Sequence, residues 1–276
     1  MTGTSDWQDR VGRTWAHEWK RTDRSFSGLT EHFLTRLAPF EFGRALDIGC
    51  GAGELSIALA RSHPAAAVLG IDISADLVAA ATARGGQYPN LAFKQVDAAT
   101  WPGDGMPHDL FVSRHGVMFF GDPVAAFANL HTRAAPGAPL AFTCFRNASE
   151  NEWASGLGRL LPCGEPAPAL DPAPGAPGPF AFADPDYVRP LLTAAGWNDV
   201  AFEAVDFAYV AGAGTDAVAD ATSYFLAIGP AARAAAELAP AQRGAFIERL
   251  GHFLQMHRSG DMVLFDGAAW LVTARA

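Results

Sequence analysis

Three glycines at alternate positions, with one acidic residue ahead of them, form the stretch of this sequence with the clearest chemistry. Gly49, Gly51 and Gly53 follow an apolar run typical of a buried strand, and Glu54 begins a run of good helix formers. Such a turn brings bare backbone close to a ligand at a helix N-terminus, where the dipole favours negative charge. Because Asp47 would repel a pyrophosphate, the turn suits a ligand that carries an ammonium group.

The spacing of these glycines differs from that of a dinucleotide-binding turn. A dinucleotide fingerprint has the pattern GxGxxG or GxGxxA at the start of a helix. Counted from Gly49 the last position is Glu54, and counted from Gly51 it is Ser56. A nicotinamide-dependent oxidoreductase therefore remains only as an alternative.

Polar residues also follow the next predicted strands. Asp72 ends a second apolar run about 20 residues past the glycines, which is where the second strand of a βαβ unit ends. Asp97 closes a third predicted strand and Ser113 a fourth. Because ligands of parallel sheets bind outside the carboxyl ends of the strands, we expect these residues to border one site.

Together, these motifs resemble those of class I S-adenosylmethionine-dependent methyltransferases. The resemblance covers residues 43–146 by motifs, and residues 180–210 and the last strand only by the order of elements. It implies that Asp47 and the glycine backbone hold the amino acid tail, that Asp72 and Ile73 contact ribose and adenine, and that Asp97 and Ala98 flank the adenine edge. The predicted cofactor-binding residues are Asp47, Gly49, Cys50, Gly51, Gly53, Asp72, Ile73, Asp97, Ala98 and Ser113.

The loop after the fourth strand contains His115, where the related methyltransferases often have an aromatic residue. A histidine at the mouth of the site is a candidate catalytic base for an acceptor hydroxyl, and the alternative is a structural histidine that hydrogen-bonds the loop. Trp15 and Trp19 are four residues apart, so a helix would give them a common face for a sulfonium or a flat acceptor, or simply for packing. The predicted substrate-binding residues are Trp15, Trp19, His115, Phe119 and Tyr224.

The order of predicted elements indicates an α/β fold with a doubly wound, mostly parallel sheet. We expect a Rossmann-like methyltransferase fold with an antiparallel last strand, N-terminal helices and a helical cap insertion. One domain would span residues 1–276, with a helical lid in 1–40, a cofactor-binding core in 41–146, a Pro/Gly-rich connector in 147–183, and the rest of the sheet in 184–276 around a helical insertion at 215–257. Asp266-Gly267, between two apolar runs, predicts a hairpin turn.

Composition limits the partners. A net charge of −9 argues against nucleic acid as the main substrate, and no uninterrupted apolar run is long enough for a membrane span. The N-terminus has no signal-peptide pattern, and the three cysteines lack metal-ligand spacing, so we expect a cytoplasmic protein without a metal. The oligomeric state is left open by the sequence, and a homodimer is one expectation.

The resemblance implies an enzyme of the EC 2.1.1 type. It would transfer a methyl group from S-adenosylmethionine to a small, partly hydrophobic acceptor by in-line displacement, releasing S-adenosylhomocysteine. Oxygen, nitrogen and carbon acceptors all remain open. The same fold would also allow cyclisation or elimination chemistry, or a non-catalytic binding protein.

Overall fold

An eight-stranded sheet organises residues 7–161 and 176–276, which are the residues that the computed structural model describes. Its strands are β1 Arg44–Ile48, β2 Ala67–Asp72, β3 Leu91–Gln95, β4 Leu110–Arg114, β5 Pro139–Phe145, β6 Asn198–Ala213, β7 Arg258–Ser259 and β8 Met262–Arg275. Their order is β3-β2-β1-β4-β5-β8-β6, with the short β7 paired to β8. Strands β1 to β5 are parallel, whereas β8 is antiparallel to both β5 and β6, as the sequence predicts.

Helices cover this sheet in three groups. The N-terminal helices are α1 Arg10–His17, α2 Trp19–Ser25 and α3 Ser27–Leu37. The helices that alternate with strands are α4 Glu54–Ser62, α5 Ala75–Gly85, α6 Pro123–His131, the short α7 Glu152–Ser155 and α8 Pro185–Ala194. Three more, α9 Ala217–Ala227, α10 Gly229–Glu237 and α11 Pro240–Met256, lie between β6 and β7 and form the predicted cap insertion.

Local capping explains where several helices begin. The Ser74 hydroxyl accepts a hydrogen bond from the Leu77 N–H at the start of α5. Asp184 accepts from the Asp186 N–H at the start of α8, where Pro185 occupies the first helical position. A side-chain acceptor and a preset φ stabilise a helix start, so these boundaries follow the sequence closely.

The strand order reverses between β1 and β4, which are neighbours although two strands lie between them in the chain. In open α/β sheets, ligands bind outside the carboxyl ends of the strands at such a switch point. Asp47 in β1 and Ser113 in β4 lie on these two strands. The topology therefore predicts that a ligand binds at the loops that follow β1 and β4.

The predicted hairpin at Asp266-Gly267 is wrong. Both residues lie inside the continuous strand β8, where Gly267 pairs with Phe207 of β6. A Cβ on Gly267 would lie 2.6 Å from the Phe207 Cζ, so the glycine is needed to make room for that ring. The chain instead reverses just before β8, at Gly260, whose φ is 62°.

Two further predictions concern the Pro/Gly-rich run and the absence of a membrane-spanning segment. Most of the Pro/Gly-rich run at 162–179, including Cys163, lies outside the described residues. Within the part that is described, none of the helices has the length and apolar character needed to cross a membrane.

Candidate functional site

The turn between β1 and α4 has the geometry that its glycines predict. Gly49, Gly51 and Gly53 have φ angles of 63°, 55° and 86°, in the left-handed region that favours glycine. A Cβ on Gly49 would lie 2.8 Å from the Gly116 Cα, whereas nothing lies within 4 Å of the Cβ position at Gly51. The turn is therefore packed against the β4 loop on one side and open at Gly51, where a ligand has room to approach the backbone.

Asp72 holds this turn in place. Its Oδ2 accepts a hydrogen bond from the Gly51 N–H, and its Oδ1 accepts one from the Ser74 N–H, each at 2.9 Å. The side chain is 8% exposed, and burial raises its pKa despite these hydrogen bonds. The carboxylate keeps further lone pairs, so binding of ribose hydroxyls remains a prediction.

Asp47 lies behind the turn and is only 1% exposed. The Ser56 hydroxyl donates to its Oδ2 at 2.5 Å. Burial raises the pKa of Asp47 to about 6, while the Ser56 hydrogen bond and the charge of Arg114 oppose that rise. The predicted attraction to an ammonium group would thus act from beneath the backbone of the turn.

The remaining predicted cofactor residues lie at neighbouring strand ends. Asp97 accepts a hydrogen bond from the Ala99 N–H at 2.9 Å, and Ile73 offers its carbonyl to the Gln95 amide at 3.3 Å. Ala98 is 8% exposed, and Cys50 lies buried within the turn. These residues lie at or just after the ends of β1, β2 and β3, and their ligand contacts remain predictions.

The hydroxyl of Ser113 is used in hydrogen bonds within the protein. Ser113 is fully buried, its hydroxyl donates to the Ile48 carbonyl at 2.6 Å, and its Oγ accepts from the Gly116 N–H at 3.2 Å. The side chain therefore ties β1 to the loop after β4. A cofactor contact through Ser113 would require these hydrogen bonds to change.

The N-terminal helices close over the turn through a cluster of charges, which sequence reasoning missed. Arg84 of α5 donates to Asp23 of α2 at 2.6 Å, and Arg114 lies 3.6 Å from the same carboxylate. Arg114 also donates to Thr30 of α3 at 2.8 Å and pairs with Glu54. Burial, together with the nearby charge of Asp23, raises the pKa of Glu54 to about 7. We call Asp23, Glu54, Arg84 and Arg114 the lid cluster.

The predicted aromatic residues of the lid have separate surroundings. Trp15 and Trp19 lie on different helices, because the helix is interrupted at Glu18. The centre of the Trp15 ring lies 5.6 Å from that of Trp7. The Arg84 guanidinium lies 3.7 Å from the centre of the Trp19 ring. Trp19 thus anchors the lid to α5 through a cation–π contact. A face shared by Trp15 and Trp19 for a ligand is not evident from these contacts.

Phe119 and Tyr224 also lie apart from each other. Phe119, in the 3₁₀ turn Val117–Phe119, meets the Trp7 ring edge to face at 5.0 Å. Tyr224 is 1% exposed and donates to the Thr22 hydroxyl of α2 at 3.3 Å. Phe119 therefore contacts the segment just before α1, whereas Tyr224 joins α2 to the cap helix α9.

His115 has an unusual backbone and a fixed ring. Its φ is 62°, which is uncommon for a residue with a side chain. Its Nδ1 lies 3.0 Å from the Thr143 carbonyl oxygen, and its Nε2 is buried without a partner. Burial lowers the pKa of His115 to about 3. A general base works best with a pKa near the operating pH, so this imidazole suits hydrogen-bond acceptance better than proton abstraction. The role of His115 as catalytic base remains a prediction.

Aromatic rings surround His115. Phe145, at the end of β5, lies 4.2 Å from the imidazole between ring centres, and Phe26 of the lid lies 5.2 Å away. Trp153 contacts Phe145 at 5.0 Å and stacks on Tyr209 of β6 at 5.1 Å. Sequence reasoning missed this group because its members are far apart in the chain. The only sequence signal was the position of Phe145 at a strand end.

The sheet order, the open glycine turn and the covering helices define the class I methyltransferase fold. Residues 45–137 match the family model described as a methyltransferase domain. This part of the chain is accordingly similar to methyltransferase domains, and the fold around it is that of the class I methyltransferases.

Sequence relatives and solved structures agree with this assignment. The chain is 32% identical over 153 residues to a trans-aconitate 2-methyltransferase of Methylobacterium radiotolerans, a match that covers 51% of this chain and 57% of the relative. The chain thus spans about half the length of the curated relatives it matches.

Two solved structures share the fold. A putative methyltransferase from Bacillus halodurans has a TM-score of 0.56 at 15% identity, with 89% of this chain and 97% of that chain covered. Phosphoethanolamine N-methyltransferase 2 of Haemonchus contortus, solved with S-adenosylhomocysteine, has a TM-score of 0.57 at 17% identity, covering 100% of this chain and 60% of its own.

Proposed function

We propose that this protein transfers a methyl group from S-adenosylmethionine to a small, partly hydrophobic acceptor. The observation that carries the proposal is the open space at Gly51, at the switch point between β1 and β4, inside the matched methyltransferase domain. Bare backbone with room for a ligand at a helix N-terminus fits the amino acid tail of this cofactor.

The residues around the turn fit the remaining parts of the cofactor. Asp47 supplies negative charge beneath the tail, and Asp72 offers carboxylate oxygens at the end of β2 for ribose hydroxyls. Asp97 and Ala98 follow the next strand, β3, and are the residues that we propose for the adenine edge. When bound, the cofactor supplies a methyl group that its sulfonium charge already activates.

The work left to the protein is positioning and exclusion of water. The lid cluster draws α2 and α3 against the glycine turn and the end of β4. The aromatic rings around His115 form an apolar wall on the same side. A closed, apolar site holds the acceptor near the reacting atom and keeps competing water away, and both effects lower the barrier to transfer.

The acceptor and the setting are part of the proposal. Similarity to trans-aconitate 2-methyltransferases over about half their length supports a small molecule as acceptor. The net charge of −9 supports a partner other than nucleic acid. The free, buried thiols of Cys50 and Cys144 support work in the reducing cytoplasm.

Calorimetric titration of the purified protein with S-adenosylmethionine, S-adenosylhomocysteine and NAD tests the proposal. We expect both adenosyl ligands to bind and NAD to show no binding. Binding of NAD, or of none of the three, would overturn the cofactor assignment. Substitution of Gly51 by Val is the matched variant, because a side chain there fills the open space and strains a φ of 55°.

A further inference from the structure

We propose that His115 selects the acceptor. Its unprotonated Nε2 accepts a hydrogen bond from a neutral acceptor that bears a hydroxyl or amine group, and the site disfavours a carboxylate. This inference rests on the proposed function, because it concerns the second substrate of the same site.

The protonation state of the ring follows from its partner. The Thr143 carbonyl oxygen, 3.0 Å from Nδ1, can only accept a hydrogen bond. We assign the proton of the neutral imidazole to Nδ1, because a lone pair there would face the carbonyl oxygen, and Nε2 then carries a lone pair. The Thr143 hydroxyl, 3.1 Å from the same Nδ1, adds a second contact on that side of the ring.

The backbone fixes where this lone pair lies. His115 adopts a φ of 62°, between Arg114 at the end of β4 and Gly116 in the loop. A Cβ on Gly116 would lie 2.9 Å from the Gly49 Cα, so the histidine is adjacent to the segment that packs on the glycine turn. His115 is thus adjacent in the chain to the segment that packs on the glycine turn, and strained backbone of this kind clusters at active sites and ligand clamps.

An unpaired polar atom in these surroundings is costly. Nε2 has no hydrogen-bond partner and is shielded from solvent, and the neighbouring rings of Phe26 and Phe145 offer it none. A buried acceptor without a partner loses its hydration and gains nothing in return. A ligand that donates one hydrogen bond would recover this loss, whereas a carboxylate would place its own lone pairs against that of Nε2.

The nearby cations do not offset that repulsion. Arg114, directly before His115, is engaged with Glu54. Arg146, directly after β5, donates to Asp206 at 2.7 Å. An anionic acceptor would thus enter an aromatic site whose adjacent arginines already have carboxylate partners, and an unpaired charge is expensive to bury. The acceptor class we infer differs from the carboxylate named for the sequence relatives.

The test uses the full chain saturated with S-adenosylhomocysteine and probes that share one ring. Phenol donates a hydrogen bond, anisole has no donor, and benzoate is an anion; trans-aconitate serves as the carboxylate of the relatives. By calorimetry we expect phenol to bind about tenfold more tightly than anisole, benzoate or trans-aconitate, the size of one hydrogen bond.

Two substitutions link this preference to the imidazole. His115→Asn tolerates a left-handed φ and removes Nε2, and His115→Phe keeps a ring without a nitrogen. Both should bind phenol about tenfold more weakly, with binding of S-adenosylhomocysteine unchanged. His252→Phe, on the exposed face of α11, is the matched control and should behave like the unmodified protein.

The outcomes separate the inference from the proposed function. Equal or tighter binding of benzoate or trans-aconitate, absence of phenol binding, or phenol binding that survives both His115 substitutions would overturn the acceptor class alone. Failure of the unmodified protein to bind S-adenosylhomocysteine would overturn the proposed function, and the inference with it.

Discussion

The Arg84 guanidinium donates a hydrogen bond to the Asp23 carboxylate at 2.6 Å, and this contact joins the N-terminal lid to the cofactor-binding half of the sheet. The same guanidinium donates to the Ala52 carbonyl in the glycine turn at 2.6 Å. One arginine thus contacts both the lid and the turn beneath it. The position of the N-terminal helices and the geometry of the turn are therefore linked through Arg84.

Substitution of Asp23 by Asn should loosen the lid. Arg84 would lose its carboxylate partner, and Arg114 would retain Glu54 and the Thr30 hydroxyl. We expect the free energy of unfolding in urea to fall by about 1–3 kcal/mol, and cleavage by a protease within residues 10–37 to become faster. Asp9→Asn is the control, because the side chain of Asp9 forms an exposed ion pair with Arg13 within the lid. Equal cleavage rates for the two variants would contradict the proposed contribution of Asp23.

Substitution of Asp72 by Ala should affect both the turn and ligand binding. The Gly51 and Ser74 N–H groups lose their acceptor, and ribose hydroxyls lose the carboxylate proposed for them. We expect the affinity for S-adenosylhomocysteine to fall at least about tenfold by calorimetry. Near-unchanged affinity would reject the ribose contact. A thermal melt of the same variant shows whether the turn alone has been lost.

Substitution of Asp47 by Asn should stabilise the protein while weakening cofactor binding. Burial raises the pKa of Asp47 from 3.8 to about 6, so the folded state holds a proton that the unfolded state has released between these values. The stability that this proton contributes is present below pH 3.8 and is lost as the pH rises through 6. The amide of an asparagine at position 47 carries no charge, so the variant does not lose this stability as the pH rises.

We therefore expect Asp47→Asn to be more stable than the unmodified protein by about 2–3 kcal/mol at about pH 8, with little difference at about pH 4. Affinity for S-adenosylhomocysteine should fall, because its ammonium group loses the negative charge beneath it. Chemical unfolding at both pH values and calorimetry measure the two effects. A variant that is less stable at the higher pH would show that the charge of Asp47 stabilises the fold.

Substitution of Gly267 by Ala should destabilise the sheet. The new Cβ would lie 2.6 Å from the Phe207 Cζ, so the ring or the strand must move. We expect a loss of about 1–3 kcal/mol in the free energy of unfolding. Gly244→Ala in α11 is the matched control: nothing lies within 4 Å of its Cβ position, and alanine in a helix should add about 0.5–1 kcal/mol. If the two variants have equal stability, the close packing of Phe207 is not what requires a glycine at this position.

Sequence reasoning located the local elements well because their signals are local. Ser74 and Asp184 begin helices through hydrogen bonds to residues two or three positions away, and each is visible in the sequence. The hairpin prediction at Asp266-Gly267 was wrong because the same residue pair is found both in tight turns and in strands that pack against a large ring, here that of Phe207. Only the partner strand distinguishes the two, and it lies about 60 residues earlier.

The candidate site likewise has features that local sequence patterns predict and contacts that only the structure shows. The sequence identified the glycine turn, Asp47 and Asp72 because left-handed φ angles and strand ends have recognisable residue patterns. It did not reveal that Asp72 bonds Gly51, since hydrogen bonding depends on how the two strand ends are placed side by side. The lid cluster and the rings around His115 were missed for a similar reason.

By itself, the sequence determined the α/β order of elements, the open glycine turn and the position of acids at strand ends. These features follow from backbone preferences and from residues close together in the chain. Only the tertiary structure decided that Asp23 pairs with Arg84 and that the Thr143 carbonyl oxygen lies 3.0 Å from His115 Nδ1. Those relationships join residues 61 and 28 positions apart, and their distances are set by the packing of the whole sheet and its covering helices.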